Sequence, residues 1–141
     1  MITQVQAPSA VVMIRPHHFR SNPETQGDNA FQIASDGDVS ERARAEFDHV
    51  VASLRTGGIT VHDFDDTGTG TPDSVFPNNW FSTHAGGHIA VYPMQAANRR
   101  RERRGDIIDM LKSTYRVQDV IDYSGLEHDG LAREGTGAMV L

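Results

Sequence analysis

Apolar and polar positions at the start of the chain separate into one short apolar run and one long polar stretch. Residues 9–15 form an apolar run that Pro16 ends, a pattern that predicts a buried strand. Residues 17–28 are polar and interrupted by Pro23 and Gly27, which indicates a loop. Because this loop is longer than most connections, it is typical of a lid or a binding loop.

The next segment, residues 39–56, has the period of an amphipathic helix. Asp38, with Glu41 three residues later, fits an N-terminal capping box, and Gly57-Gly58 fits a helix stop. Four apolar side chains fall on one face: Phe47, Val50, Val51 and Leu54. The pattern therefore predicts a helix with one buried side.

Strand patterns enclose an acidic loop in the middle of the chain. Residues 59–64 predict a strand, and residues 65–73 predict a loop. Alternation then predicts a hairpin, with strands at residues 75–83 and 88–92 joined by a turn at residues 85–87.

A second helix is predicted over residues 98–115, with Asn98 as its N-cap. Its apolar positions are Ile107, Ile108, Met110 and Leu111. Residues 117–123 then predict a strand. Helix-to-strand units at residues 39–64 and 98–123 therefore recur at a spacing near sixty residues, which indicates an α/β assembly of like modules.

The last segment predicts another strand that starts near residue 134. The sequence ends inside the apolar run of residues 139–141, with no turn or polar tail after it. This ending fits either a terminal strand or a truncated domain.

Composition narrows the class of protein. The 141 residues are 38% hydrophobic and 23% charged, as in a soluble globular domain. The net charge of −6 argues against general nucleic-acid binding, and the basic run at residues 99–104 is typical of a solvated helix face. No apolar run approaches a membrane span, residues 1–6 lack a signal-peptide pattern, and cysteine is absent. We expect a cytoplasmic protein with neither a membrane nor a nucleic-acid partner.

Two candidate metal motifs have simpler interpretations. Residues 63–68 partly imitate a calcium loop, but Ser74 stands where the bidentate glutamate belongs, which favours a solvated acidic loop. His84 and His88 flank a glycine pair, a turn rather than a helical metal face, and further zinc ligands are not identified. We therefore expect neither a metal nor a cofactor.

Candidate chemistry centres on Asn78-Asn79 and on Glu134. Two adjacent asparagines are unusual in an extended segment, so their amides are a candidate polar platform on a sheet rim. Cys is absent, and no Ser lies in a Gly-x-Ser-x-Gly turn. Glu134, beside Gly135, forms either a capped turn or an acid that orients an imidazole, and residue chemistry leaves both open.

Five motifs extend over nearly the whole chain. They are Arg15-Pro16-x-x-Phe19-x-x-Asn22-x-Glu24-Thr25; Asn29-x-Phe31-Gln32; Thr71-Pro72-Asp73-x-Val75-Phe76-Pro77-Asn78-Asn79-Trp80-Phe81-Ser82-Thr83-His84; Tyr92-Pro93-Met94-x-x-x-Asn98-Arg99-Arg100-x-Glu102-Arg103; and Glu134-Gly135-Thr136-Gly137-x-Met139-Val140-Leu141. Together they resemble the amidinotransferase-like, guanidino-group-modifying superfamily (penteins), in particular its branch of citrulline-utilisation hydrolases.

The resemblance implies an α/β fold, an incomplete five-bladed β/α propeller of strand-strand-helix-strand modules. Modules would lie at about residues 9–64 and 75–123, with a third starting near residue 134. Family enzymes are longer, and their nucleophilic Cys and general-base His come from later modules. Residues 1–141 are therefore expected to be the N-terminal half of a catalytic domain, inactive without a C-terminal half or second chain. A homo-oligomer is compatible with this interpretation.

The resemblance also implies roles for single residues. Glu134 would orient the catalytic His, while a thiolate attacks the central carbon of the substrate. Asp73, Asn78 and Asn79 would bind the substrate, together with Phe19 and Asn22 from the lid-like loop.

Asn78 and Asn79 stand where relatives that hydrolyse methylated arginine have two acids. Those acids pair with a guanidinium cation, whereas carboxamides suit a neutral ureido group. The resemblance therefore implies hydrolysis of citrulline to ornithine, ammonia and carbon dioxide. Two alternatives stay open. One is a hydrolase or deiminase of arginine derivatives, and the other is a non-catalytic half-propeller that binds a small ligand or a protein.

Overall fold

The first unit is a strand, a helix and a parallel strand. The computed structural model describes residues 7–27 and 39–135. Strand β1 (Ala10–Pro16) pairs in parallel with β2 (Thr60–Asp66) along its full length. A parallel pair needs a long crossover, which helix α1 (Ser40–Thr56) provides. The predicted strands, loop and helix of this region are confirmed, but β2 extends two residues further, into the predicted acidic loop.

Helix α1 differs from its prediction at its start and on one face. Its N-cap is Val39, without a side-chain cap, and Asp38 lies outside the described residues. Phe47 and Val51 are buried against the sheet, whereas Val50 is 45% exposed, so the buried stripe is narrower than predicted. The helix ends at Gly57 as expected, and Gly58 follows with a left-handed φ of 82°.

The second unit contains a three-stranded sheet. Strand β3 (Phe81–His84) is antiparallel to β4 (His88–Val91), and β4 is parallel to β5 (Asp119–Asp122). The predicted turn between β3 and β4 is present. Its Gly87 has a φ of 85°, and a Cβ there would lie 2.2 Å from a backbone oxygen of Arg116.

The prediction of a strand from residue 75 is wrong for residues 75–80. Residues 71–76 form turns, and Pro77–Asn79 forms a 3₁₀ helix. Local bonds satisfy this backbone, including Phe76 N–H to Asp73 O and Trp80 N–H to Pro77 O. Because Pro77 has a fixed φ and no N–H to donate, the chain turns here before it can join a sheet.

The predicted second helix is two helices. Helix α2 (Ala97–Arg100) ends before helix α3 (Gly105–Thr114), and Arg104 between them is extended. Asn98 is inside α2 and is not its N-cap, which is Ala96. The break coincides with the extended backbone at Arg104 and is followed by Gly105, a residue of low helix propensity that starts α3.

One hydrophobic core joins the two units. The fully buried side chains of Ile14 from β1, Trp80, Ile89 from β4, Met94 and Ile107 from α3 belong to it. The two small sheets confirm the predicted α/β class, and they form no closed propeller within the described residues. None of the helices in residues 7–27 and 39–135 has the length and apolarity needed to cross a membrane.

Residues after β5 differ from expectation. Ser124–Asp129 forms a second 3₁₀ helix that the pattern did not indicate. Glu134 and Gly135, where a strand was predicted to begin, are not in a strand, and residues 136–141 lie outside the described part of the chain.

Candidate functional site

Three separate segments meet at one edge of the second unit. They are the turn that contains Asp73, the 3₁₀ helix Pro77–Asn79, and the segment that contains Glu134. Backbone bonds hold the last segment in place, from Arg133 N–H to Pro93 O at 2.8 Å and from Gly135 N–H to Asn79 O at 2.8 Å. The fold therefore brings together residues that are about 60 positions apart in sequence.

Asn79 on the 3₁₀ helix contacts Glu134, and Asn78 contacts Asn79. The Asn79 amide Nδ2 lies 3.4 Å from Glu134 Oε2, and the Asn78 amide Nδ2 lies 3.2 Å from Asn79 Oδ1. Asn78 is exposed, whereas Asn79 and Glu134 are half-buried. The Asn78–Asn79 pair, called the platform below, therefore lies on a 3₁₀ helix and not on the predicted strand.

Arg99 lies beneath this platform with only 6% of its side chain exposed. Its Nη1 atom is 3.2 Å from Glu134 Oε2, and its Nη2 atom is 3.1 Å from Glu102 Oε2. Its Nε atom is 3.2 Å from Glu102 Oε1 and 3.8 Å from Asp73 Oδ2. A single guanidinium group therefore contacts three carboxylates.

Glu102 is the most deeply buried of these acids. Burial raises the pKa of Glu102 to about 7, although the Arg99 ion pair opposes the shift; the charges of Asp73 and Glu134 add to it. Near neutral pH, Glu102 is therefore partly protonated, which reduces the negative charge inside the cluster.

Asn22 connects the long loop to the site. It is completely buried, and its amide Nδ2 donates to Asp73 Oδ2 at 2.6 Å. Asn22 and Asn98 exchange amide hydrogen bonds of 2.7 and 3.2 Å, and Glu24 accepts from the backbone N–H of Asn98. The side chain that sequence analysis assigned to substrate contact thus holds Asp73 in place.

Phe19 is less closely tied to the cluster. It is half-buried, and its carbonyl oxygen accepts a hydrogen bond from the Ser40 hydroxyl at 3.1 Å. The described contact joins Phe19 to the start of α1 rather than to Asp73 or Glu134.

A groove of about 760 Å³ opens beside the platform and is mostly apolar. Asn78 and Gly135 line it, and β1, β3 and the end of α3 form its walls. Ser82 supplies a polar group, bonded to Tyr92 Oη at 2.6 Å and to His84 Nε2 at 2.7 Å. Its volume falls in the range of small-molecule sites.

Residues of the two candidate metal motifs, 63–68 and His84 with His88, make other contacts. Asp63–Asp66 belongs to β2 and is not a solvated loop, because Asp63 pairs with Arg55 and Asp66 accepts from Gly68 and Thr71. His88 pairs with Asp119. The described residues contain no group of three side chains suited to a metal ion.

The sequence pattern did not indicate that Asn98, Arg99 and Glu102 are buried and belong to the site. The basic run was interpreted as a solvated helix face, but Arg99 and Glu102 are 5% and 2% exposed. An acid three residues after an arginine on a helix was the available signal, since that spacing allows an internal ion pair.

Comparisons with known proteins agree with this architecture. No curated protein matches the chain. A crystal structure of a histidine-to-glycine variant of dimethylarginine dimethylaminohydrolase, in adduct with S-methyl-L-thiocitrulline, is similar with a TM-score of 0.62 and 16% identity. It covers 92% of this chain, and this chain covers 46% of it. A second structure, the same enzyme in adduct with 4-chloro-2-hydroxymethylpyridine, gives a TM-score of 0.53 at 17% identity, with coverages of 79% and 39%.

The chain thus spans less than half the length of these solved relatives. Residues 15–141 match the sequence model of the family described as N,N dimethylarginine dimethylhydrolase, eukaryotic. The chain therefore belongs to that family of the pentein (amidinotransferase-like) superfamily, whose members act on guanidino groups.

Proposed function

We propose that this chain forms the substrate-binding wall of a thiol-dependent hydrolase that cleaves a C–N bond of a ureido amino acid, citrulline being the preferred substrate. The observation that carries the proposal is the Asn79–Glu134 contact, with Asn78 beside it at the exposed edge. Carboxamides both donate and accept hydrogen bonds, so they match the oxygen and the NH₂ group of a neutral urea.

The carboxylates of the site do not by themselves require a cationic substrate. Glu102 and Glu134 already pair with Arg99, and Asp73 accepts a bond from Asn22. The side chains at the exposed edge are therefore neutral amides, while the acids below them have partners. In the proposed reaction Glu134 orients an imidazole that moves protons for a thiolate. The 141-residue sequence contains no cysteine, so the thiolate would come from elsewhere.

We also propose that this chain contributes two modules of a five-bladed propeller. Residues 9–64 and 75–123 are the candidate modules, and a third would begin near residue 134. The parallel β1–β2 pair and the β3–β4–β5 sheet support this division. A second chain or C-terminal half would then complete the catalytic wall.

A guanidino substrate is the second candidate, and the family match favours it because the solved relatives are dimethylarginine dimethylaminohydrolases. The three carboxylates near Arg99 also give the site negative charge, which attracts a cation. A non-catalytic binding role would use the same platform without chemistry.

The two substrates are separated by ligand titration of the ¹⁵N-labelled chain, which detects weak binding. L-Citrulline is expected to shift the side-chain amide signals of Asn78 and Asn79 at lower concentration than L-arginine or N,N-dimethylarginine does. If dimethylarginine binds more tightly than citrulline, the ureido assignment is wrong. If none of the three shifts these signals, the platform is not a substrate wall.

A variant that adds a negative charge to the platform tests the preference for a neutral substrate. Asn79→Asp should weaken citrulline binding about tenfold, since a lost hydrogen bond and an added charge near Glu134 cost about 1–2 kcal/mol, and it should favour dimethylarginine. The control Gln95→Glu adds the same charge at an exposed position outside the site. Equal effects of the two variants would show that only overall charge matters.

A further inference from the structure

Glu134 has two carboxylate oxygens with different environments. Its Oε2 atom lies near two donors, Arg99 Nη1 at 3.2 Å and Asn79 Nδ2 at 3.4 Å. Its Oε1 atom has no hydrogen-bond partner among residues 7–27 and 39–135, and the side chain is 26% exposed. One oxygen of this acid is therefore held while the other is available.

Glu102 fixes the plane of the Arg99 guanidinium from the opposite side. Both Nε and Nη2 of Arg99 bond to the Glu102 carboxylate, at 3.2 and 3.1 Å. A guanidinium bound through two nitrogen atoms cannot rotate freely, so the direction of its third nitrogen is set as well. That third nitrogen, Nη1, is the one that contacts Glu134.

We infer that Arg99 is a positioning residue: braced by Glu102, it holds the Oε2 atom of Glu134 so that the Oε1 atom is the one presented to an imidazole N–H. The inference rests on the proposed function, because it gives the orienting acid of that site a defined geometry. Glu102 acts through Arg99, because its bonds fix the orientation of the Arg99 guanidinium group.

The Arg99–Glu102 ion pair, called the brace below, is buried, and this distinguishes Arg99 from the arginine next to it. The Arg99 side chain is 6% exposed and that of Glu102 is 0% exposed, so neither group can move into water without breaking the pair. The neighbouring Arg100 is different. It is 39% exposed, bonds to the carbonyl oxygen of Met94 and pairs with Glu127, and it has no described contact with Glu134. Arg100 is therefore a matched control.

The test is NMR spectroscopy of the ligand-free chain, labelled with ¹³C at glutamate carboxyls and ¹⁵N in side-chain amides. In Arg99→Met the carboxyl signal of Glu134 should shift, and the nuclear Overhauser contact between the Asn79 amide and Glu134 should be lost. Arg99→Lys keeps the charge without the two-nitrogen contact and should give a smaller displacement. Arg100→Met should leave both signals in place.

Either of two results with the arginine variants would overturn the inference. One is an unchanged Glu134 signal in folded Arg99→Met, and the other is an equal change in Arg100→Met. If Arg99→Met does not fold, Glu102→Gln loosens the brace and should shift the Glu134 signal in the same direction. The wild type gives a further measurement, because a braced Arg99 Nε–H should exchange with solvent at least tenfold more slowly than that of exposed Arg42. Equal exchange rates would refute the brace.

These signals are recorded without substrate. Failure of citrulline to bind would therefore contradict the proposed function while leaving the brace intact, and a mobile Glu134 would contradict the brace while leaving the substrate assignment intact.

Discussion

Gly135 donates its backbone N–H to the carbonyl oxygen of Asn79 at 2.8 Å, and this bond joins the Glu134 segment to the 3₁₀ helix. A Cβ atom at Gly135 would lie 2.5 Å from the carbonyl oxygen of Asn78 and 3.1 Å from the ring of Tyr92. Backbone oxygen cannot yield as a flexible side chain can. Glycine is therefore what allows Glu134 to approach the asparagine pair.

Gly135→Ala is expected to push the Glu134 segment away from the platform. The overpacking should cost about 1–3 kcal/mol where the segment stays docked, or should release the segment and remove the Asn79–Glu134 contact. Chemical denaturation and the amide signals of Asn79 measure the two outcomes. The control is Gly105→Ala, whose Cβ meets nothing within 4 Å. An unchanged Asn79 signal and unchanged stability in Gly135→Ala would contradict the close approach.

The pH dependence of stability should report Glu102. Burial raises its pKa to about 7, against the effect of Arg99, from an ordinary value of 4.5. The folded chain thus holds this proton more tightly than the unfolded chain does. Its contribution to stability is fully present below about pH 4.5 and is lost as the pH rises through about 7. The full loss should be on the order of 3 kcal/mol, for a rise of about 2.5 pKa units at 1.36 kcal/mol per unit.

Urea unfolding at pH 5 and pH 8 measures this loss. Glu102→Gln carries no charge at either pH, so its free energy of unfolding should fall less than that of the wild type between the two. Glu46→Gln changes an acid whose side chain is 64% exposed and should keep the wild-type dependence. If Glu102→Gln falls as steeply as the wild type, another group causes the loss.

Local patterns predicted most elements of the fold. The apolar run before Pro16, the stripe of Phe47 and Val51 on α1, and the glycine turn after β3 each correspond to an observed element. These signals depend only on residues that are close together in the sequence, so one sequence is enough to show them. The strand predicted before Trp80 was wrong because the prediction followed the alternation of apolar and polar residues. It gave too little weight to Pro77, which restricts the backbone conformation.

The buried half of the site could not be predicted by the same means. Arg99 resembled a solvated cation because its run is basic. The spacing to Glu102 was a local signal, but only the fold brings Asp73 and Glu134 to Arg99 as well. Asn98 resembled a helix cap, but its amide bonds Asn22, 76 residues earlier. Long-range polar partners leave no periodic trace in the sequence. Residue types thus indicated the asparagine platform and Glu134, while the residues that hold them required the structure.

The reciprocal amide pair of Asn22 and Asn98 should behave as one energetic unit. Asn22→Ala removes a bond to Asp73 and leaves the buried Asn98 amide without its partner, so it should cost about 2–3 kcal/mol. Asn98→Ala should cost a similar amount. The double variant should cost clearly less than the sum, with a coupling of about 1 kcal/mol or more. Additive free energies of unfolding would show that the two amides do not depend on each other.

Stability at low pH should depend on Glu127, which lies in the 3₁₀ helix Ser124–Asp129 and bonds to Arg103 and Met94. Its carboxylate accepts from Arg103 Nη2 at 3.0 Å and from the backbone N–H of Met94 at 2.7 Å. Burial works against ionisation, but these bonds outweigh it and lower the pKa of Glu127 below 4.5. Because the folded state holds this proton less tightly, the contribution of Glu127 is present above about pH 4.5 and is lost as the pH falls through the lowered pKa.

Glu127→Gln should therefore reduce stability at pH 7, by about 1–3 kcal/mol for a buried charged hydrogen bond, and should flatten the decline of stability below pH 4.5. Thermal unfolding from pH 7 to pH 3 measures both effects. Asp109→Asn, an exposed acid on α3, serves as the control and should keep the wild-type decline. If Glu127→Gln loses stability in acid as steeply as the wild type does, other carboxyl groups with a lowered pKa cause the loss. Asp66 is one of these groups.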